Sequence, residues 1–215
     1  MISIEQQQKL LLSISKRLEK QITVYAIGGT AMMFLGIKDT TLDIDLVFTS
    51  EEDRNIFKKA AQQIGYNLMD SIKVYGAKKN LPEMLTLKDE RFDLFVDEVI
   101  HFIFSKNMQE RAGETHQFEK NLIIKIANPH DIILMKCATD RIKDRDDARK
   151  IIKSVKINWE TIVNEAKNQV NHGKQRALFD LGDFLESLNK EMEVGVPETV
   201  LDEIWNLVKG EVDEK

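Results

Sequence analysis

Asp43 and Asp45 sit one residue apart inside the apolar run Leu42-Asp43-Ile44-Asp45-Leu46-Val47-Phe48. Residues two apart on a strand point to one face, so this spacing predicts paired carboxylates on one side, with Ile44 and Leu46 packed on the other. Adjacent acids repel, and such a pair is costly unless a cation neutralises it. Carboxylate oxygens suit a hard divalent ion, Mg²⁺ first and Mn²⁺ as the alternative, with water or phosphate completing the shell. Two such ions about 4 Å apart can clamp the attacking and leaving oxygens of a phosphoryl transfer. Holding both requires a third acid. Asp93 is the candidate, because Arg91-Phe92-Asp93-Leu94-Phe95-Val96 places a charge inside an otherwise apolar strand. Asp97 shares that strand face at its polar end, and Asp89 lies in the preceding turn.

Upstream, Ile22-Thr23-Val24-Tyr25-Ala26-Ile27 ends at Gly28-Gly29-Thr30. Glycines after a strand let backbone N–H groups approach a phosphate closely, and the Thr30 hydroxyl could add a donor. A Gly-Gly pair alone more often marks a tight turn. Its weight here comes from the strand before it and the Asp-x-Asp after it.

The elements that must carry these residues follow from pattern. Residues 4–20 carry a helical apolar stripe, 22–27 and 42–48 read as strands, and Thr30–Gly36 as a short helix. Thr49-Ser50 caps a helix from Glu51 to about Ile64. Extended segments are expected at 72–76, 84–87, 92–96 and 121–126. Helices follow from Pro129 through Ala138, over Asp144–Val155, and at 158–171, 175–190 and 197–209. The expected fold is α+β, a mixed β-sheet flanked by helices, with a catalytic core at 1–127 and a C-terminal helical region at 128–215 that completes the active-site cleft.

Composition narrows the classes. The chain has 215 residues, with 42% apolar and 31% charged content, which rules out wholesale disorder and fits one medium domain or a domain with a helical extension. Its net charge of −5 hides a segregation of sign. Acids dominate from Glu191 to Lys215, whereas Lys136–Lys156 holds eight bases against four acids. A polyanion-coating protein would be basic throughout, so tight nonspecific DNA binding is not expected, although a local phosphate site is allowed. One cysteine, Cys137, gives no internal disulfide and no Cys-rich zinc framework, and His101, His116, His130 and His172 are scattered. No Walker loop, nucleophile elbow, secretory signal layout or membrane-spanning apolar run is present, and a soluble, cytoplasmic protein is expected.

Ile27-Gly28-Gly29, Asp43-Ile44-Asp45-Leu46 and Asp93 together resemble the nucleotidyltransferase superfamily that includes DNA polymerase β, kanamycin-type resistance enzymes and many small prokaryotic members. Lys136-Cys137-Ala138-Thr139-Asp140-Arg141-Ile142-Lys143-Asp144-Arg145-Asp146-Asp147 further resembles a signature of small nucleotidyltransferases related to abortive-infection toxins. That likeness implies phosphate contact by Lys136, with Lys143 beside it in the nucleotide site, and a structural or catalytic role for Asp144. Lys38 stands near the place of that group's usual arginine. The two resemblances cover about residues 22–150. If one helix continued through this segment, Lys136, Asp140, Lys143, Asp144 and Asp147 would share a face; the plain alternative is a salt-bridged, solvated surface.

The expected function is Mg²⁺-dependent transfer of NMP from an NTP to an acceptor hydroxyl. Asp43, Asp45 and Asp93 would bind metal and perform catalysis, while Gly28, Gly29 and Thr30 hold the triphosphate. The acceptor is open among RNA, protein and a small molecule. The resemblance adds a toxin–antitoxin role with a cognate antitoxin as partner. The rival is a non-catalytic module of the same fold that binds a nucleotide or a protein.

Overall fold

Ser3 and Gln6 form a capping box at the start of α1 (Ile4–Ser15), the Ser3 N–H donating to Gln6 Oε1 at 2.9 Å, so that two exposed donors are satisfied reciprocally. The computed structural model describes residues 1–139 and 141–213, the side chains of 211–213 excepted. Asp140 and Glu214, with the side chains of Glu211 and Asp213, therefore lie outside the described residues. The chain divides into two compact units, Met1–Ile100 with Met108–Asn128, and His101–Asn107 with Pro129–Lys215.

In the first unit, β1 (Ile2–Ser3) is followed by α1, β2 (Ile22–Ala26), α2 (Gly28–Phe34), β3 (Thr40–Thr41), β4 (Ile44–Phe48) and α3 (Glu51–Gln63). Then come β5 (Asn67–Met69), α4 (Ile72–Tyr75), β6 (Glu83–Leu87), β7 (Glu90–Val96) and β8 (Glu98–Val99). Beyond β9 (Phe102–Ile103) and α5 (Lys106–Arg111), the unit closes with β10 (Thr115–Phe118) and β11 (Leu122–Ile126). The main sheet runs β10-β11-β2-β4-β7-β6-β5. It is mixed, as expected: β11–β2 and β4–β7 are parallel, whereas β2–β4 and β6–β7 are antiparallel.

Ser50 accepts a hydrogen bond from the Asp53 N–H and starts α3, with Glu51, Glu52 and Asp53 favourably placed in the first turn. This helix sends Phe57 into the sheet, where its ring meets Phe48 and Phe92 edge-on, each at 5.5 Å between centroids. Phe48, Phe57 and Phe92 are fully buried, each removal from water worth about 1.5–3 kcal/mol. Ile44, Leu46 and Phe48 of β4 and Phe92 and Leu94 of β7 are buried on one face of the sheet, which leaves the other face for Asp45 and Asp93.

One local expectation is overturned. Residues 72–76 read as extended from their β-branched content, but Asp70 Oδ1 accepts the Ile72 N–H at 3.0 Å, and the chain makes the single helical turn α4 before Gly76 ends it.

The second unit contains α6 (Pro129–Lys136), α7 (Ile142–Ser154), α8 (Trp159–Asn171), α9 (Gln175–Met192) and α10 (Glu198–Asp213). A continuous helix through 136–147 is not formed, because the helical backbone stops at Lys136 and resumes at Ile142. Buried Ala177, Leu178, Leu181, Leu185 and Leu188 recur at helical spacing on α9. Segment 101–107 joins this unit through Gln169, which accepts from the Ile103 N–H at 2.9 Å and donates to its carbonyl at 2.8 Å. The Ser105 hydroxyl donates to Glu165 at 2.8 Å alongside. No described helix is long and apolar enough to cross a membrane.

Candidate active site

Parallel pairing of β4 and β7 puts Asp45 directly opposite Asp93. Asp43 immediately precedes β4, two positions from Asp45. Because the intervening side chains pack against α3, all three acids fall on the other face of the sheet. One carboxylate oxygen from each lies within 4.8 Å of those of the other two. Asp93 is fully buried, Asp43 nearly so, and Asp45 half-buried.

The glycine turn is fitted to this cluster. Gly28 has φ +54°, and a Cβ there would stand 2.8 Å from Asp45 Oδ2. A Cβ on Gly29 would come within 2.5 Å of Thr41 Oγ1, with Lys38 Nζ at 3.7 Å. Thr30 is buried, and its hydroxyl accepts from the Asp45 N–H at 2.8 Å while donating to the Asp43 carbonyl at 3.4 Å. Thr30 thus fixes the backbone between the two acids.

Two further side chains enter the cluster. Arg91, two residues before Asp93 on the same face of β7, donates from Nη2 to Asp43 Oδ2 and, at 3.1 Å, to Asp93 Oδ2. Tyr75, in α4, donates its hydroxyl to Asp93 Oδ2 at 2.6 Å, and its ring packs edge-on against Phe95 at 6.4 Å. Burial pushes the Asp93 carboxyl up to about 6, with Asp43 adding to the rise, against the opposing pull of the Arg91 charge and the Tyr75 and Arg91 hydrogen bonds. Burial, with Asp45 and Asp93 next, also drives the Tyr75 phenol far up, so that it remains a donor throughout the physiological range.

The donor set fits a hard divalent cation, since all three groups are carboxylates. A second sign is Asp93 Oδ1. Arg91 Nε approaches it to 2.9 Å, close enough for charge attraction, yet the two are misaligned and neither completes a hydrogen bond. Held by charge attraction but by no hydrogen bond among the described residues, Oδ1 keeps a lone pair open to a further ligand.

Lys136, Lys143 and Asp144 belong to the second unit. The Lys136 ammonium, buried at the end of α6, donates to Asp144 at 2.9 Å and to Asp147 at 2.7 Å. Asp144 also receives Arg141 Nε at 2.7 Å and the Thr139 hydroxyl at 2.5 Å. Burial alone would raise its carboxyl, but Lys136, Arg141 and Thr139 reverse this and hold it far below the usual range. Lys143 lies half-buried in the first turn of α7.

Sequence reasoning passed over Arg91 and Tyr75. The two-residue spacing of Arg91 from Asp93 was a legible signal, whereas nothing in the sequence ties Tyr75 to an acid 18 residues away.

In comparisons with known proteins, no family model and no curated protein matches the chain. Among solved structures it is similar to ANT(2")-Ia in complex with adenylyl-2"-tobramycin, at 15% identity and a TM-score of 0.46, over 84% of this chain and 97% of that one. It is also similar to a candidate nucleotidyltransferase from H. pylori, at 15% identity and a TM-score of 0.41, over 96% and 95% of the two chains.

Proposed function

We propose that the chain is a divalent-metal-dependent nucleotidyltransferase that moves NMP from an NTP to an acceptor hydroxyl. The observation that carries this reading is the convergence of Asp43, Asp45 and Asp93 within 4.8 Å, from one strand pair and beside a close-fitting Gly28-Gly29 turn. Asp43, Asp45 and Asp93 would hold Mg²⁺, as one or two ions, which when bound would neutralise charge at the phosphate oxygens and acidify the attacking hydroxyl. The acceptor oxygen forms a bond to the α-phosphorus, the bond to the β-phosphate oxygen breaks, and pyrophosphate leaves. Asp93 is the candidate base for the hydroxyl proton. Gly28 and Gly29 bring backbone close to the triphosphate, and Thr30 keeps Asp43 and Asp45 in register for it.

Phosphate contact by Lys136, a place for Lys143 in the nucleotide site and a structural or catalytic role for Asp144 rest on the sequence resemblance. So does a toxin–antitoxin setting with a cognate antitoxin. RNA, protein and small-molecule hydroxyls are the acceptors to be tried.

A second reading is a non-catalytic module that binds a nucleotide or a protein partner. It is favoured by one observation, the seating of Arg91 across Asp43 and Asp93, where it already offsets part of their charge. Labelled NTPs incubated with Mg²⁺ and separate RNA, protein and small-molecule fractions distinguish the two. Label transfer by the wild type and none by Asp43→Ala/Asp45→Ala supports the enzyme. Mg²⁺-dependent NTP binding without transfer supports the module, and absence of both sinks the nucleotide-site reading.

A further inference from the structure

The least expected member of the acidic cluster is its cation. The Arg91 guanidinium contacts both oxygens of Asp93, at 2.9 Å through Nε and 3.1 Å through Nη2, and the same Nη2 also bonds to Asp43 Oδ2. Its own side chain is only 19% exposed, so these charges meet with little screening. A divalent ion held by Asp43 and Asp93 would stand beside this guanidinium and draw on oxygens that it already faces. Two cations cannot both be well served by those oxygens.

We propose that Arg91 is a built-in competitor for the metal. In the metal-free protein it bridges Asp43 and Asp93 and keeps the acids from repelling one another; a divalent ion enters by displacing it. Tyr75 supports the exchange from the other side, because its hydroxyl remains on Asp93 Oδ2 and keeps that carboxylate oriented while Arg91 leaves. The guanidinium thus sets how much free metal is needed to charge the site. This inference deepens the metal-binding part of the proposed function and does not depend on nucleotidyl transfer.

The competing role has the opposite sign from a supporting one. An arginine that merely positions the carboxylates would, on removal, weaken metal binding. A competitor, on removal, strengthens it. The test is Mn²⁺ binding to the full chain at pH 7.5, followed by the loss of the free-ion paramagnetic resonance signal, with thermal unfolding scanned in chelator and in Mn²⁺. Wild type is compared with Arg91→Gln and Arg91→Lys. Arg91→Gln is expected to bind Mn²⁺ at least about tenfold more tightly, to melt lower than wild type in chelator, and to gain more in melting temperature on adding Mn²⁺. Arg91→Lys keeps the charge but not the fork that spans two carboxylates, and should fall between the two; it carries the comparison if Arg91→Gln does not fold. Equal or weaker binding by both variants overturns the competitor role while leaving the metal site standing. No Mn²⁺ binding by wild type or by either variant overturns both.

Discussion

Asp45 and Asp93 face each other across the parallel β4–β7 ladder, one half-buried and the other sealed from solvent. The difference in burial separates their chemistry. Asp93 holds its proton up to about pH 6 in the folded chain, against an ordinary value of 3.8 that the unfolded chain regains. Between those values the folded state binds more protons than the unfolded one, so stability falls as pH rises through this window and levels off above about 6. In chelator, urea unfolding should show a decline of roughly 2 to 3 kcal/mol from this group between pH 4 and 7. Asp93→Asn should lack it; an identical slope in that variant would falsify the assignment.

Gly28→Ala tests the glycine turn. The new methyl would press on Asp45 Oδ2 while the backbone is held at φ +54°. A cost of about 1 to 3 kcal/mol is expected from the strained backbone and the contact, together with weaker Mn²⁺ binding because Asp45 must move. Calorimetry and metal titration on the same sample check both. Unchanged metal affinity would separate the turn from the acids.

Lys136→Met leaves Asp144 and Asp147 buried beside an uncharged chain. Breaking a buried ion pair from one side costs about 3 to 5 kcal/mol. Because the Asp144 carboxyl is held far below its ordinary range, its contribution is present above about pH 4 and is lost as the pH falls below that. Chemical unfolding at pH 7 and at pH 3 should therefore show a large gap between wild type and variant at the first and a smaller one at the second. Equal gaps would mean that the pairing contributes little.

Gln7 gives a stabilising prediction. It is fully buried in α1, and among the described residues neither end of its side-chain amide has a hydrogen-bond partner. Gln7→Met, close in volume and free of polar hydrogen-bonding needs, should raise stability by about 1 to 2 kcal/mol. A drop in the unfolding midpoint would show that the amide is satisfied in solution.

The alternation of Ile44, Leu46 and Phe48 with Asp45 was readable in sequence because a two-residue period has one geometric meaning, and the mixed sheet followed from the strand segments. What lay beyond reach was local competition between conformations. Ile72-Lys73-Val74-Tyr75 has strand composition, yet the Asp70 side chain, by capping Ile72, tips it into a helical turn. Likewise, Lys136 and Asp144 are eight positions apart and would be neighbours on one helix; they meet instead across a break in it. The pairing of Arg91 with Asp43 depends on strand order, which periodicity does not encode.

The pairing of Ile2 with Thr41, two residues before Asp43, has a practical consequence at the bench. Anything fused ahead of Ile2, such as an affinity handle or a fluorescent reporter, pulls on the strand that steadies the approach to the first acid. Comparing the chain with and without such a fusion in the Mn²⁺ titration measures how far the leading residues brace the site.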